Sequence, residues 1–171
     1  MTTGLKPIRG KAWLFGDNVD TDQIIQGRYL TLLDYSEMAR HTFEIPRPGF
    51  SHEVKKGDVV VAGENFGGGS SREEAPRVLQ QLGVGCVLAQ SFARLFYRNA
   101  VNIGLPVLIV PGIAHSVKDG MTLDVNLVKS TIVIKETGQT LSGQSLSRMV
   151  VDILEAGGAV PWFRKHRRMN A

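Results

Sequence analysis

The sequence is short of the residues that staple, ligate or anchor a chain. It has one cysteine, Cys86, so no internal disulfide can form and no cysteine-rich metal site can be built from this chain. Cys86 lies in the apolar run Val84 to Ala89, a setting that favours a small buried hydrophobe over a reactive thiol. No apolar stretch is long enough to span a bilayer, and the opening MTTGLKPIRG lacks an apolar signal core. The expectation is a soluble, cytoplasmic protein with no membrane partner. His41, His52, His115 and His166 are scattered without metal-ligand spacing, so no metal ligand is expected among them.

The formal net charge is +4, and much of the excess sits in Arg164, Lys165, His166, Arg167 and Arg168. Residues 160–171 therefore read as a frayed, solvated basic tail, and no nucleic-acid partner is expected. With 171 residues and 43% hydrophobic content, the chain suits one ordinary core and a single domain over residues 1–171.

The pattern along the chain is α/β. Lys11 to Phe15 reads as a strand, followed by the turn-rich GDNVDTD, and Thr31 to Phe43 holds a short helix capped by Asp34 or Ser36. EIPRPGFSHEVKKGD, with two prolines and two glycines, reads as a loop whose 44–53 part orders against a partner. The buried strands Val59 to Ala62, Val84 to Ala89 and Leu105 to Val110 alternate with helices at Arg72 to Leu82 and Ser91 to Ile103. That order implies parallel strands joined by right-handed crossovers. Met121 to Leu127 and Thr131 to Glu136 read as a β-hairpin packed on this parallel core, and Ser145 to Ala156 as a closing helix. Phe92, Phe96 and Tyr97 are assigned to the core with Arg94 and Arg98 outward; Trp13 and Trp162 default to packing.

The most informative stretch is GENFGGGSSREEAP, Gly63 to Pro76, between a buried strand and a helix, where loops meet ligands in α/β folds. Gly67, Gly68 and Gly69 let backbone approach a ligand closely. Ser70 and Glu73 have capping-box spacing, which would place an anion-attracting helix end beside them. A Walker loop fails for want of lysine followed by Ser or Thr. A dinucleotide fingerprint fails because Arg72 stands where a small residue is needed. Two hydroxyls and an arginine remain. Arg72 can grip a carboxylate through two parallel hydrogen bonds, and Ser70 or Ser71 can act on the neighbouring carbon. A plain helix cap with a surface salt bridge is the competing reading of the same residues.

GENFGGGSSREEAP is very similar to the signature of the aconitase swivelling domain, which also forms the small subunits of isopropylmalate dehydratase and homoaconitase. GDNVDTDQII at 16–25, QSFARLFYRNAVNIGL at 90–105 and DILEAGGAV near the end resemble further elements of that family, in the family order. The resemblance implies a swivelling β/β/α domain and the reversible dehydration of a hydroxy di- or tricarboxylate. It implies Ser70 as the base, with Ser71 and Arg72 binding a substrate carboxylate and Asp22 supporting the site. On residues alone, Asp22 is an ordinary turn aspartate. The resemblance also implies a [4Fe–4S] cluster held by three cysteines. A chain with one cysteine cannot supply them, so no cofactor is expected here and a cluster-bearing large subunit is the expected partner. Gly68 replaces the cysteine, and Glu74 the histidine, that many small subunits carry at these points.

In this family the loop after the YL pair chooses the substrate's variable group. Homoaconitase-like members place arginine there to pair an extra carboxylate, whereas this chain reads GRYLTLLD, with Thr31, Leu32 and Leu33. An unpaired carboxylate is costly in a closed site, and leucines welcome a branched alkyl group. The expected substrate is a small hydroxy-dicarboxylate with an isopropyl group, in leucine biosynthesis. Three alternatives stand beside it. Arg28 replaces the missing arginine and the enzyme is homoaconitase-like; the alkyl group is that of dimethylmalate; or the chain is a non-catalytic module binding a carboxylate, phosphate or RNA. Leu32 and Leu33 read equally well as core.

Overall fold

Short runs of consecutive apolar residues and longer alternating ones decide how this chain layers. The computed structural model describes residues 4–169. In chain order it forms β1 (Ile8–Leu14), α1 (Thr21–Ile24), a 3-10 turn (Gly27–Tyr29), α2 (Tyr35–Ala39), α3 (Phe50–Glu53), β2 (Val59–Ala62), α4 (Glu74–Gln81), β3 (Cys86–Ala89), α5 (Arg94–Ile103) and β4 (Val107–Ile109). It continues with α6 (Ile113–Ser116), β5 (Thr122–Asn126), β6 (Thr131–Ile134), β7 (Thr140–Ser142), α7 (Arg148–Glu155) and α8 (Ala159–Met169).

The strands form one sheet in the order β4-β3-β2-β1-β5-β6-β7. The first four are parallel, and β5 joins β1 antiparallel from Ile8↔Val125 to Lys11↔Thr122. Strands β2, β3 and β4 are apolar on both faces because both faces are covered, whereas β1 carries exposed Arg9 and Lys11. Val60, Ala62, Val87, Ala89 and Val107 pack with Phe43, Phe66, Leu79 and Phe96 on the helical side. Val59, Val61, Cys86, Leu88 and Leu108 pack with Leu123, Val125, Ile132 and Ile134 of β5 and β6. For the second group to meet, the sheet must curl on itself. The chain after β7 completes the curl, with the Gln144 N–H donating to the Ile109 carbonyl of β4 at 2.8 Å.

The α/β class with a parallel core holds, and the hairpin is present in a larger form. It enters the sheet through the β1 ladder and gains a third strand, β7, whose three residues carry no apolar signal strong enough to read. Two expectations are overturned. Residues 44–53 are ordered without a partner, because Phe50 is 1% exposed. Its ring packs edge-on against Trp13 and Phe43, at centroid distances of 5.0 and 4.9 Å. Gly49, at φ 89°, turns the chain inward to start α3. The 160–171 tail is not frayed over its described part but helical through Met169. Half-buried Trp162 anchors that helix, with Phe163 and His166 against its ring. Residues 170–171 lie outside the described residues. No helix among them is long and apolar enough to cross a membrane.

Phe50→Ala should lower unfolding free energy by about 3–5 kcal/mol, read as a shifted urea midpoint. A change below about 0.5 kcal/mol, the surface-substitution range, would return this segment to a mobile loop.

Candidate functional site

The turn after β1 and the glycine loop after β2 lie side by side, because β1 and β2 are parallel neighbours that end together. Backbone hydrogen bonds zip the two segments. Gly63 N–H donates to Gly16 O at 3.1 Å, Asn18 N–H to Glu64 O at 2.8 Å, Gly67 N–H to Val19 O at 2.7 Å and Thr21 N–H to Gly68 O at 2.9 Å. The Thr21 hydroxyl completes the series by donating to Ser70 O at 2.8 Å. Two glycines permit this closeness. A Cβ on Gly63 would fall 1.7 Å from Asp17 Oδ1. A Cβ on Gly67, at φ 83°, would fall 2.3 Å from the Phe96 ring. Gly69 also has positive φ, whereas Gly68 does not.

The expected capping box of Ser70 and Glu73 does not form. Helix α4 begins at Glu74 and its first turn receives no side-chain cap. Thr21 holds the Ser70 carbonyl, Ser70 and Ser71 lie in a bend and irregular chain short of the helix, and Glu73 pairs with Arg77 at 2.9 Å instead. The capping box of this region belongs to α1, where Asp20 and Gln23 bond reciprocally at 2.8 and 3.3 Å. Ser70 and Ser71 are left with exposed side chains on a fixed backbone.

Arg72 turns back under the loop. Its Nη1 donates to Asp22 Oδ1 at 2.9 Å and to the Ile25 carbonyl at 3.2 Å. Asp22 is therefore no plain turn aspartate. It sits in the first turn of α1 and also accepts from Gly27 N–H at 3.1 Å. The Arg72 hydrogen bond first, and the Gly27 N–H next, hold its carboxyl below the ordinary aspartate range. Only 20% of the Arg72 side chain is exposed against 65% for Asp22, so the carboxylate lies on the water side and the guanidinium is fixed beneath it.

The residues expected to contact the substrate's variable group divide. Thr31 is exposed, and its hydroxyl lies 3.4 Å from the Arg28 carbonyl. Leu32 packs against the helical-side core, while Leu33 is fully exposed. Successive side chains at a turn point different ways, so the leucine pair does not line one pocket in this chain. Arg28 is paired with Glu44 at 3.1 Å and lies over the Tyr29 ring. Sequence reading missed Thr21 and Glu44. The TD dipeptide marks Asp22 alone, and little local marks Glu44, since only His41 is near in sequence and its other partners, Gln26, Arg28 and Tyr29, lie 15 to 18 residues away.

Other candidate features are structural. A cleft of about 280 Å³ lined by Trp13, Arg47, Asp58 and Asp119 shares no residue with the serine loop. Within it Arg47 pairs with Asp119 and the Trp13 N–H donates to Asp58. Cys86 is buried in β3, and burial pushes its thiol far up, out of reach of thiolate chemistry. Among the described residues, no group of three or more His, Cys, Asp and Glu side chains could hold a metal ion.

Because its pKa is lowered in the folded state, Asp22 contributes stability above the ordinary aspartate pKa, about 3.9, and loses it as pH falls through the folded value. In Arg72→Gln, the Asp22 carboxyl resonance followed by ¹³C NMR should titrate closer to 3.9. An unchanged midpoint would mean that Arg72 does not set it.

Comparison with known proteins bears on the family and the fold. Residues 11–111 match the family described as the aconitase C-terminal domain. The 3-isopropylmalate dehydratase small subunit 1 of Methanopyrus kandleri is 49% identical over 92% of this chain and 93% of its own length. The isopropylmalate/citramalate isomerase small subunit of Methanocaldococcus jannaschii is 48% identical over 92% of this chain and 94% of its own. A crystal structure of 3-isopropylmalate dehydratase from Methanocaldococcus jannaschii superposes with a TM-score of 0.91 at 42% identity, covering 96% of this chain and 98% of that one. With its serine loop, curled mixed sheet and near full-length relatives in agreement, this chain belongs to the aconitase C-terminal domain family, among the small subunits of the 3-isopropylmalate dehydratase type.

Proposed function

We propose that this chain is the small subunit of a heteromeric hydro-lyase that interconverts 2-isopropylmalate and 3-isopropylmalate by dehydration and rehydration in leucine biosynthesis, in the cytoplasm. The observation that carries the reading is the pair of exposed serines set beside an arginine that Asp22 already orients.

Ser70 is the base. It takes the proton from the substrate carbon next to a carboxylate and returns it in the reverse direction. Serine does this only if its alkoxide is stabilised by fixed positive charge or donors. The zipped backbone holds Ser70 in place through Thr21, and Arg72 stands two residues on. Ser71 and the guanidinium of Arg72 take the carboxylate, and a fork that enters already oriented loses little entropy on binding. Asp22 positions Arg72 rather than reacting. Gly67, Gly68 and Gly69 keep the loop backbone close to the substrate.

An aconitase-type cluster does not fit the donors of this chain. Cys86 is the lone thiol and lies buried within β3. The [4Fe–4S] cluster therefore belongs to the large subunit, and the active site lies between the two chains. Leu33, which is fully exposed, is the residue assigned to meet the isopropyl group, and Thr31 offers no charge to a third carboxylate. A few methyl groups in such a contact are worth about 1–3 kcal/mol. The Methanocaldococcus relative is named for isopropylmalate and citramalate, so a malate with a smaller alkyl group is the natural second substrate to assay.

Co-expressed anaerobically with its large subunit, the complex should dehydrate 3-isopropylmalate, and the isolated chain should not. Ser70→Ala should lower kcat by about 10²–10⁴-fold, the usual range for loss of a general base. Arg72→Lys should lower kcat/KM by about 10–100-fold through the lost bidentate contact. Undiminished turnover by the Ser70→Ala complex would rule out the assigned base.

A further inference from the structure

Glu44 gathers more side-chain partners than any catalytic candidate. Its Oε2 accepts from the Tyr29 hydroxyl at 2.6 Å, from Arg28 Nη2 at 3.1 Å and from Gln26 Nε2 at 3.1 Å. Its Oε1 lies 3.4 Å from His41 Nδ1. The His41 and Tyr29 rings stack at 3.7 Å and 9°, and the Arg28 guanidinium covers the Tyr29 ring at 4.7 Å. The carboxylate is itself well seated. Phe43, the residue before it, is buried, and its N–H donates to the Ile24 carbonyl at the end of α1.

These contacts grip the root of the substrate loop at consecutive residues. Asp22 holds the Gly27 N–H, and Glu44 holds Arg28 and Tyr29. Thr31, Leu32 and Leu33 hang from that root. Arg28 is the cation nearest in sequence to the position where a third substrate carboxylate would be recognised. Paired with Glu44 and laid on an aromatic face, its charge is already compensated.

We propose that Glu44 is a specificity-determining and positioning residue. Its carboxylate neutralises Arg28 and pins residues 26–29, so the site accepts an alkyl group and rejects a third carboxylate. This rests on the functional reading above. Glu44→Gln keeps the shape and an acceptor for Tyr29 but removes the counter-charge, so Arg28 becomes available to an anionic substituent.

The test uses the complex with the large subunit and two substrates, 3-isopropylmalate and the malate carrying a 2-carboxyethyl group in place of isopropyl. Glu44→Gln should shift the ratio of their kcat/KM values at least tenfold towards the tricarboxylate, chiefly through its KM. Adding Arg28→Gln should reverse the shift. Loss of loop structure alone would depress both substrates together and leave the ratio in place. A ratio unchanged within twofold, or one that Arg28→Gln fails to reverse, overturns the proposal while the hydro-lyase reading stands. An unmodified complex that prefers the tricarboxylate overturns both. A second measurement needs no turnover: modification of the isolated subunit by phenylglyoxal, mapped by peptide mass. Arg28 should react several-fold more slowly than Arg98, an exposed arginine with no ion pair among the described residues, although 65% of the Arg28 side chain is exposed. Equal rates would show that Glu44 does not hold Arg28, and would overturn the proposal whatever the substrate.

Discussion

The backbone zipper between the turn after β1 and the loop after β2 is the constraint on which the site depends. Parallel strands cannot be joined by a tight turn, so their carboxyl ends leave neighbouring loops free to pair with one another. Here that pairing runs from Gly63 to Ser70 on one side and from Gly16 to Thr21 on the other. Without glycine at 63 and 67, a Cβ would strike Asp17 or Phe96 and the loops would part. The serines owe their position to this contact rather than to the helix that follows them, whose first residue is Glu74.

Charge pairing refines what the zipper sets up. Asp22 and Glu44 are both exposed to solvent in part, and exposed ion pairs contribute little to stability. Their value lies in orientation. Asp22 aims a mostly buried guanidinium, and Glu44 collects the polar groups at the base of the 30–33 loop. Both act within α1 and the turns beside it, a segment anchored to the core by Ile24, Ile25 and Phe43. Core packing thus reaches the reactive groups through a short, rigid element.

The parallel half of the fold was legible because its strands are buried on both faces and its helices carry clear apolar stripes. Runs such as VVVA and CVLA admit few other readings in this context. The spacing of Ser70 and Glu73 misled, because a capping box on paper competes with tertiary partners for the same backbone, and Thr21 holds the Ser70 carbonyl while Glu73 pairs with Arg77. The 44–53 segment misled for a related reason. Prolines and glycines signal turns, but a single phenylalanine at position 50 packs edge-on in an aromatic niche with Trp13, Phe15 and Phe43. The basic tail is helical over its described part, with Trp162 half-buried and α8 packed against α5 and α7 despite four neighbouring cationic residues.

The sequence by itself determined the class of fold and the position of the serine loop, through periodicity and one dense motif, while its resemblance to the aconitase swivelling domain implied that cluster-holding cysteines lie on another chain, since this one has a single cysteine. It also brought Ser70, Ser71 and Arg72 together, as chain neighbours must be. Only the tertiary structure decided that Asp22 lies against Arg72, that Leu32 packs on the core while Leu33 is exposed, and that Arg28 is paired with Glu44. Each of these depends on which distant groups the fold brings alongside. Local pattern carries no information on such contacts, because they are settled when the loops after β1 and β2 close on each other and the sheet curls.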